Sequence, residues 1–317
     1  MKNLNLVYVI CSALIFFNCS TDNEPIENTN APNITNYIFK TYNVSITPDT
    51  VIDSTNYVID NNRIISSSSL NFSTNVSRSS EYTYVSNRIS QVRSYTDGVL
   101  TRIQDYAYNN GGDLIEYLNE SIDAATLTSS YDRHRFTHTP DTIFSTWDRS
   151  FDGINFDFLI SNFKIVLNAN DNRTYLEEED IINDKVRKFT SIYDVNNNLL
   201  EETSIIITNT DVVIPNVDFS HTFSTGINSF YVINEATYTH KNLMLLYHLQ
   251  GNAINNINVK SITPNTLESF ESSFAPDLFN FEINNTLDTN NNAIFSDYRT
   301  IASGSLFTRF TQEFILQ

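Results

Sequence analysis

A recurring unit constrains the fold of this chain more than any other feature. Segments starting at Tyr57 (YVIDNNRII), Tyr82 (YTYVSNRIS), Tyr106 (YAYNNGGDLIEY) and Tyr131 (YDRHRF) begin about 25 residues apart, and IYDVNNNLLEE from Ile192 repeats the order. Each unit alternates aromatic or β-branched residues with polar ones at period two, which gives a strand one buried face. Asn-Asn or Gly-Gly then supplies positive-φ residues for a reversal, and the Ile or Leu that follows returns the apolar face to the same side. A lone hairpin is marginal in water, so successive units must pair edge to edge. The pattern predicts an all-β chain, an antiparallel hairpin-repeat meander forming a large twisted sheet, either wrapped on itself or packed as a sandwich. Glycine totals only 7, so Asn, which tolerates the left-handed region better than other non-glycine residues, is expected at many turns.

The period blurs after about Thr203, although Thr286 to Ile294 keeps the order strand, Asn turn, apolar return. Helical patterns are scarce. Tyr175 to Lys188 (YLEEEDIINDKVRK) reads either as a helix with a stripe of Leu176, Ile181, Ile182 and Val186, or as two short strands about Asn183-Asp184. Between His240 and His248 the apolar NLMLLY reads as a buried strand.

At the N-terminus, Leu6 to Phe17 is apolar apart from Ser12 and too short for a membrane span. It ends at Cys19, which Ser20-Thr21-Asp22-Asn23-Glu24 follow. This stretch resembles a bacterial lipoprotein signal of the looser Bacteroidetes kind, with Phe16 and Asn18 in place of the usual Leu and small residue. The resemblance implies that Cys19 becomes the first mature residue and bears the lipid. The acidic residues after it resemble the signal that sends such lipoproteins to the outer face of the outer membrane. The expected organisation is a signal peptide (1–18), an acidic flexible tether (19–35) and a β-repeat domain (36–317), with a possible subdivision near 208–215. Cys11 would leave with the signal, so no disulfide is expected and the core must suffice, as a domain of this size allows.

The units also resemble degenerate YD repeats, as found in Rhs-type shells and in short Bacteroidetes surface lipoproteins of uncharacterised function. Tyr82, Tyr84, Asn87 and Ile89, then Tyr106, Tyr108, Gly112 and Leu114, then Tyr193, Asp194, Asn198 and Leu199 are the matching residues. The resemblance implies a surface β-protein that binds or spaces rather than catalyses. The chain ends in TRFTQEFILQ, without the terminal aromatic residue of outer-membrane barrels, and is expected to be anchored rather than spanning. A net charge of −18 repels nucleic acid and anionic membrane surfaces.

Chemistry-bearing patterns are few. On a strand, His134, His138 and Asp132 share a face that could hold a metal, but Arg133 and Arg135 flank His134, so neither a metal nor a cofactor is expected. No Gly-x-Ser-x-Gly elbow, phosphate loop or zinc spacing occurs. Glycosidase-type acids could come only from runs such as Glu177 to Asp180 or Glu201-Glu202, brought together by the fold. Asp141-Thr142-Ile143 and Asp49-Thr50-Val51 resemble the Bacteroidetes O-glycosylation acceptor, consistent with export. The one tryptophan, Trp147, with Asp148, Arg149 and Asp152 nearby, is either a sugar-stacking platform or a residue closing the β core. The expectation is a surface-anchored, non-enzymatic lipoprotein that binds a glycan or an envelope protein. The competing reading is a surface glycan hydrolase.

Overall fold

The computed structural model describes residues 31–45, 48–210, 212–215, 218–248, 262–273, 279–302 and 305–317. Cys19, the signal-like stretch and most of the tether lie outside them. The strands are β1 (Ile34–Asn43), β2 (Thr50–Asp60), β3 (Arg63–Asn71), β4 (Val76–Val85), β5 (Arg88–Thr96), β6 (Val99–Tyr108), β7 (Leu114–Ile122), β8 (Ser129–His138), β9 (Thr142–Ser150), β10 (Phe158–Leu167), β11 (Arg173–Asp180), β12 (Lys185–Tyr193) and β13 (Leu199–Thr208). After these come β14 (Val213–Pro215), β15 (Phe219–Ile227), helices α1 (Ser229–Tyr238) and α2 (His240–His248), then β16 (Asn265–Ser272), β17 (Phe279–Leu287), β18 (Ala293–Ala302) and β19 (Ser305–Leu316).

The chain is a wrapped meander. Each strand from β1 to β13 pairs antiparallel with the next. β14 and β15 then share one place along β13: Ile207 faces Val213, and further on Glu202 faces Phe219. β15 pairs with β16, and β17, β18 and β19 pair in turn. β16 and β17 meet through Asn285 Nδ2, which donates to the Leu267 carbonyl at 2.8 Å, and through the edge-to-face rings of Phe270 and Phe281. β19 returns antiparallel to β1, Tyr37 opposite Phe314, so the sheet is a nearly closed barrel. Because β14 and β15 share a place, nineteen strands occupy eighteen, the even number that an all-antiparallel ring requires.

The repeat explains the curl. Three tight reversals have consecutive positive-φ residues, Asn61-Asn62, Ser86-Asn87 and Asp97-Gly98, the backbone pattern that matches strand twist. A second, five-residue turn recurs at Asn109 to Asp113, Asn168 to Asn172, Asp194 to Asn198 and Asp288 to Asn292. In each, the first residue's N–H donates to the last residue's carbonyl, and its own carbonyl accepts from the fourth residue. That fourth residue lies at positive φ in all four: Gly112, Asp171, Asn197 and Asn291. Asn therefore does take turn positions. Gly112, with φ near +90°, sits furthest into the region that side chains avoid, so a substitution there is strained.

Six hairpins carry the same bulge. Register shifts between Val58 and Ile59, Thr83 and Tyr84, Ala107 and Tyr108, Val166 and Leu167, Ile192 and Tyr193, and Thr286 and Leu287. The extra residue directly follows the first apolar residue of the returning strand, as Ile65 follows Ile64, Ser90 follows Ile89 and Ile115 follows Leu114. A bulge bends the strand and raises its twist, and here it turns the first apolar residue after each reversal inward. Ile64, Ile89, Leu114 and Leu199 are consequently buried.

Those side chains meet the two helices, which among the described residues are the helical departure from strand. NLMLLY lies in α2 rather than a strand, because its apolar residues cover more than one face and all find partners: Met244 and Leu245 are fully buried against different parts of the barrel core. Ile233 of α1 fills a third part. The helices sit at the end bearing the β2–β3, β6–β7, β10–β11 and β17–β18 turns. Arg63 Nε donates to the Ala236 carbonyl, the Leu114 N–H to Asn242 Oδ1, and Ser229 Oγ to the Ala293 carbonyl, while His240 Nε2 pairs with Asn172 Oδ1. Tyr175 to Lys188, by contrast, is the β11–β12 hairpin, with its turn at Ile181 to Asp184.

Candidate functional site

Above the helices the barrel lumen holds a cavity of about 660 Å³. Its floor includes Tyr238, Leu243 and Tyr247 of the helices. Its wall near the floor is aromatic, with Tyr37, Tyr57, Tyr106, Tyr117, His134 and Trp147. Further from the helical end, Gln104 and Arg102 on β6, Asn119 on β7 and Asp132 on β8 follow the aromatic residues two and four positions along their strands. Period-two alternation puts all of these on the inward face.

The rings form a stacked wall. His134 lies over Trp147 with centroids 5.4 Å apart and planes 20° from parallel, and Tyr37 stacks on Tyr57 at 5.0 Å. Trp147 Nε1 donates to Asp132 Oδ1 at 3.0 Å, and Arg149 Nε donates to the same oxygen at 2.9 Å. Trp147 is thus held edge-on by a carboxylate while one face rests on His134. Burial lowers the His134 pKa to about 3 despite the nearby Asp132, so the imidazole is neutral. Burial, with Glu202 nearby, pushes the Tyr247 phenol well up, and burial raises Tyr106 and Tyr238 likewise, leaving neutral hydroxyls. Two buried polar atoms of the lining have no hydrogen-bond partner among the described residues: Asn119 Oδ1 and the Tyr247 hydroxyl. Each costs about 1–3 kcal/mol unless a ligand or water meets it.

The residues singled out in the sequence separate. Trp147 and Arg149 share the lumen face with Asp132. Asp148 falls on the outer face, where it accepts from Arg135 at 2.7 Å and lies 3.5 Å from Arg133. Asp152 caps the β9–β10 turn, accepting from the Ile154 and Asn155 N–H groups, which hold its carboxyl well below the usual range. His138 is at the helical end with Nε2 2.8 Å from the Leu114 carbonyl, apart from His134. Among the described residues no three His, Cys, Asp or Glu side chains are grouped to hold a metal. Arg102, Gln104 and Asn119 were not singled out. Their positions two and four residues before Tyr106, and two after Tyr117, were the signal that would have found them.

The outer face of the barrel is charged. Glu81, Arg93, Lys164, Glu179, Glu201, Glu282 and Glu313, from strands around the ring, are exposed and face away from the lumen by register. A charge on the lipid face of a barrel costs up to about 2–4 kcal/mol at mid-bilayer, so this wall suits water rather than hydrocarbon. No described helix is long and apolar enough to cross a membrane.

No family model and no curated protein matches the chain. Among solved structures it is similar to a porin-like protein from Bacteroides uniformis ATCC 8492 (10% identity, TM-score 0.36). It is likewise similar to one from Bacteroides vulgatus ATCC 8482 (10% identity, TM-score 0.38). In each case 90% of this chain and 99% of the other are covered.

Proposed function

We propose that this protein is a non-enzymatic binding module of the bacterial envelope, tethered to the outer membrane through lipid on Cys19, that receives a neutral glycan in its barrel lumen. The observation that favours this reading is the composition of the cavity. A sugar offers flat C–H faces and a rim of hydroxyls; the lumen offers the Trp147–His134 stack and, beside it, polar atoms of Arg102, Gln104, Asn119 and Tyr247. The described lining holds one basic and one acidic residue, Arg102 and Asp132, which suits an uncharged ligand. Asp132 is the single carboxylate of the described lining and already holds Trp147 and Arg149. Most glycoside hydrolysis uses a pair of carboxyl groups, one of them free to act as acid. The arrangement therefore favours retention over cleavage. The charged outer wall agrees with a barrel that stands in water beside the membrane on a tether.

Isothermal titration calorimetry of the full chain against neutral oligosaccharides tests this. One of the series should bind, and Trp147→Ala should weaken it at least about tenfold, a loss of about 1.4 kcal/mol. Asn119→Ala should weaken it less, and the sugar should be recovered uncut. Binding untouched by Trp147→Ala, or shortened products that persist in that variant, would exclude the lumen as a glycan site.

A further inference from the structure

The end of the barrel away from the helices has an unusual rim. In an antiparallel meander alternate turns share an end, so the β3–β4, β5–β6, β7–β8, β9–β10, β11–β12 and β13–β14 turns all lie opposite α1 and α2. Each exposes a large apolar side chain at or beside its tip: Phe72, Val99, Leu127, Ile154, Ile182 and Val212. Ile154 is 81% and Leu127 78% exposed, and Phe151 and Phe158, packed edge to face at 5.7 Å, widen the patch. Single exposed apolar residues need no explanation, but one on each of six turns at the same end of the barrel marks an interaction surface. The turns are also held in shape. Asn71 accepts from the Ser73 and Thr74 N–H groups, Asp123 from those of Ala125 and Thr126, and Asp152 from those of Ile154 and Asn155. Side chains on fixed tips lose little further freedom on binding.

Charge selects the occupant. The described tip residues of these turns include Asp97, Asp123, Asp152, Asp157 and Asp184 and no Lys or Arg. A second copy meeting rim to rim would set acid against acid, and an anionic lipid surface would be repelled. The chain enters the barrel at the other end, where the Ile34 N–H donates to Asn62 Oδ1 in the β2–β3 turn. We infer that this rim docks a partner protein presenting a cationic, apolar face, independently of whatever the lumen holds.

The test uses a short, dye-labelled amphipathic helix of Lys and Leu, with its Glu and Leu counterpart, binding to the full chain by fluorescence anisotropy. The Lys/Leu helix should bind and the Glu/Leu helix should not. Phe151→Ser with Ile154→Ser and Ile182→Ser should weaken binding at least tenfold, and Asp157→Lys with Asp184→Lys should reverse the preference. Thermal melting of both variants checks that the barrel is intact, and because all five positions lie in exposed turns, one folded variant suffices. Equal binding to the apolar variant would overturn the inference. So would flotation on phosphatidylcholine vesicles that the apolar variant loses, or a wild-type dimer in sedimentation that the apolar variant dissolves.

Discussion

At the scale of single residues, the barrel depends on a few inward side chains repeated from hairpin to hairpin. Leu114 is fully buried where the β6–β7 return meets α2, while its bulge neighbour Ile115 is 38% exposed. Leu114→Ala should therefore cost about 2–5 kcal/mol of unfolding free energy, and Ile115→Ala within about 0.5, as read from urea denaturation. Three histidines add acid sensitivity. Burial lowers His134 to about 3, and His221 and His240 to about 4. The unfolded chain takes up these protons first, near the ordinary value of 6.5, so each histidine's contribution is whole above that pH. It is lost as pH falls toward 4, at about 1.4 kcal/mol per pH unit per group. A denaturation series from pH 7.5 to pH 4.5 should show stability falling with acid, and His240→Gln should reduce the slope. Of the residues flagged in the sequence, Trp147 and Arg149 reach the lumen because period two sends them there, and the same period sends Asp148 outward. The lumen's other polar residues carry a fainter signal, because Arg102, Gln104 and Asn119 form no motif: they lie on the one β6–β7 hairpin, Gln104 opposite Asn119, and only the inward phase they share with Tyr106 and Tyr117 marks them.

At the scale of elements, the hairpins were legible and the helices were not. Aromatic alternation, a positive-φ turn and an apolar return are all local, so each unit declares itself in a short stretch, and β4–β5 and β6–β7 follow it closely. The shared bulge lay within the same stretches, as the residue directly after each apolar return, but alternation alone does not distinguish it from a longer turn. α1 and α2 were hidden for another reason. They are short, they bury residues on several faces inside a closed wall, and so they lack the one-sided stripe by which a surface helix is recognised. They also explain why the period blurs after Thr203, since β14 is short and the helices interrupt the meander. Asn242 fastens α2 to the repeat: its Oδ1 accepts from the Leu114 N–H, and its Nδ2 donates to the Gly112 carbonyl. Asn242→Ala strands that buried donor and should destabilise the protein by about 1–3 kcal/mol. Hydrogen exchange should locate the loss at the β6–β7 turn and α2, with the β3–β4 turn at the other end unaffected.

At the scale of the whole molecule, closure and plugging make the lumen a chamber. β19 pairs with β1 although 267 positions separate even that ladder's innermost pair, Tyr42 and Arg309, so the ring is a property of the complete meander. Within it, Arg173 and Glu202 form an ion pair of 2.7 Å with side chains only 4% and 1% exposed, reinforced by Ser191 and by the Tyr247 ring at the cavity floor. Removing one charge strands the other, so Glu202→Gln should cost about 3–5 kcal/mol, measured by chemical denaturation. Whether the sheet wrapped or stacked was open in the sequence, because period two fixes which side chains share a face and not how far the sheet curls. The β19–β1 ladder shows that it wraps, with the repeated bulges adding the twist.

Trp147 looks into the lumen proposed to bind a neutral glycan, and the chain reports on this itself, having one tryptophan. The most direct measurement is the Trp147 emission and its acrylamide quenching as an oligosaccharide identified by calorimetry is added. Binding in the lumen predicts a saturable change in emission and protection from acrylamide, both lost with Asn119→Ala and Arg102→Ala together. Calorimetric binding with Trp147 emission and quenching unchanged would place the sugar elsewhere and contradict the account.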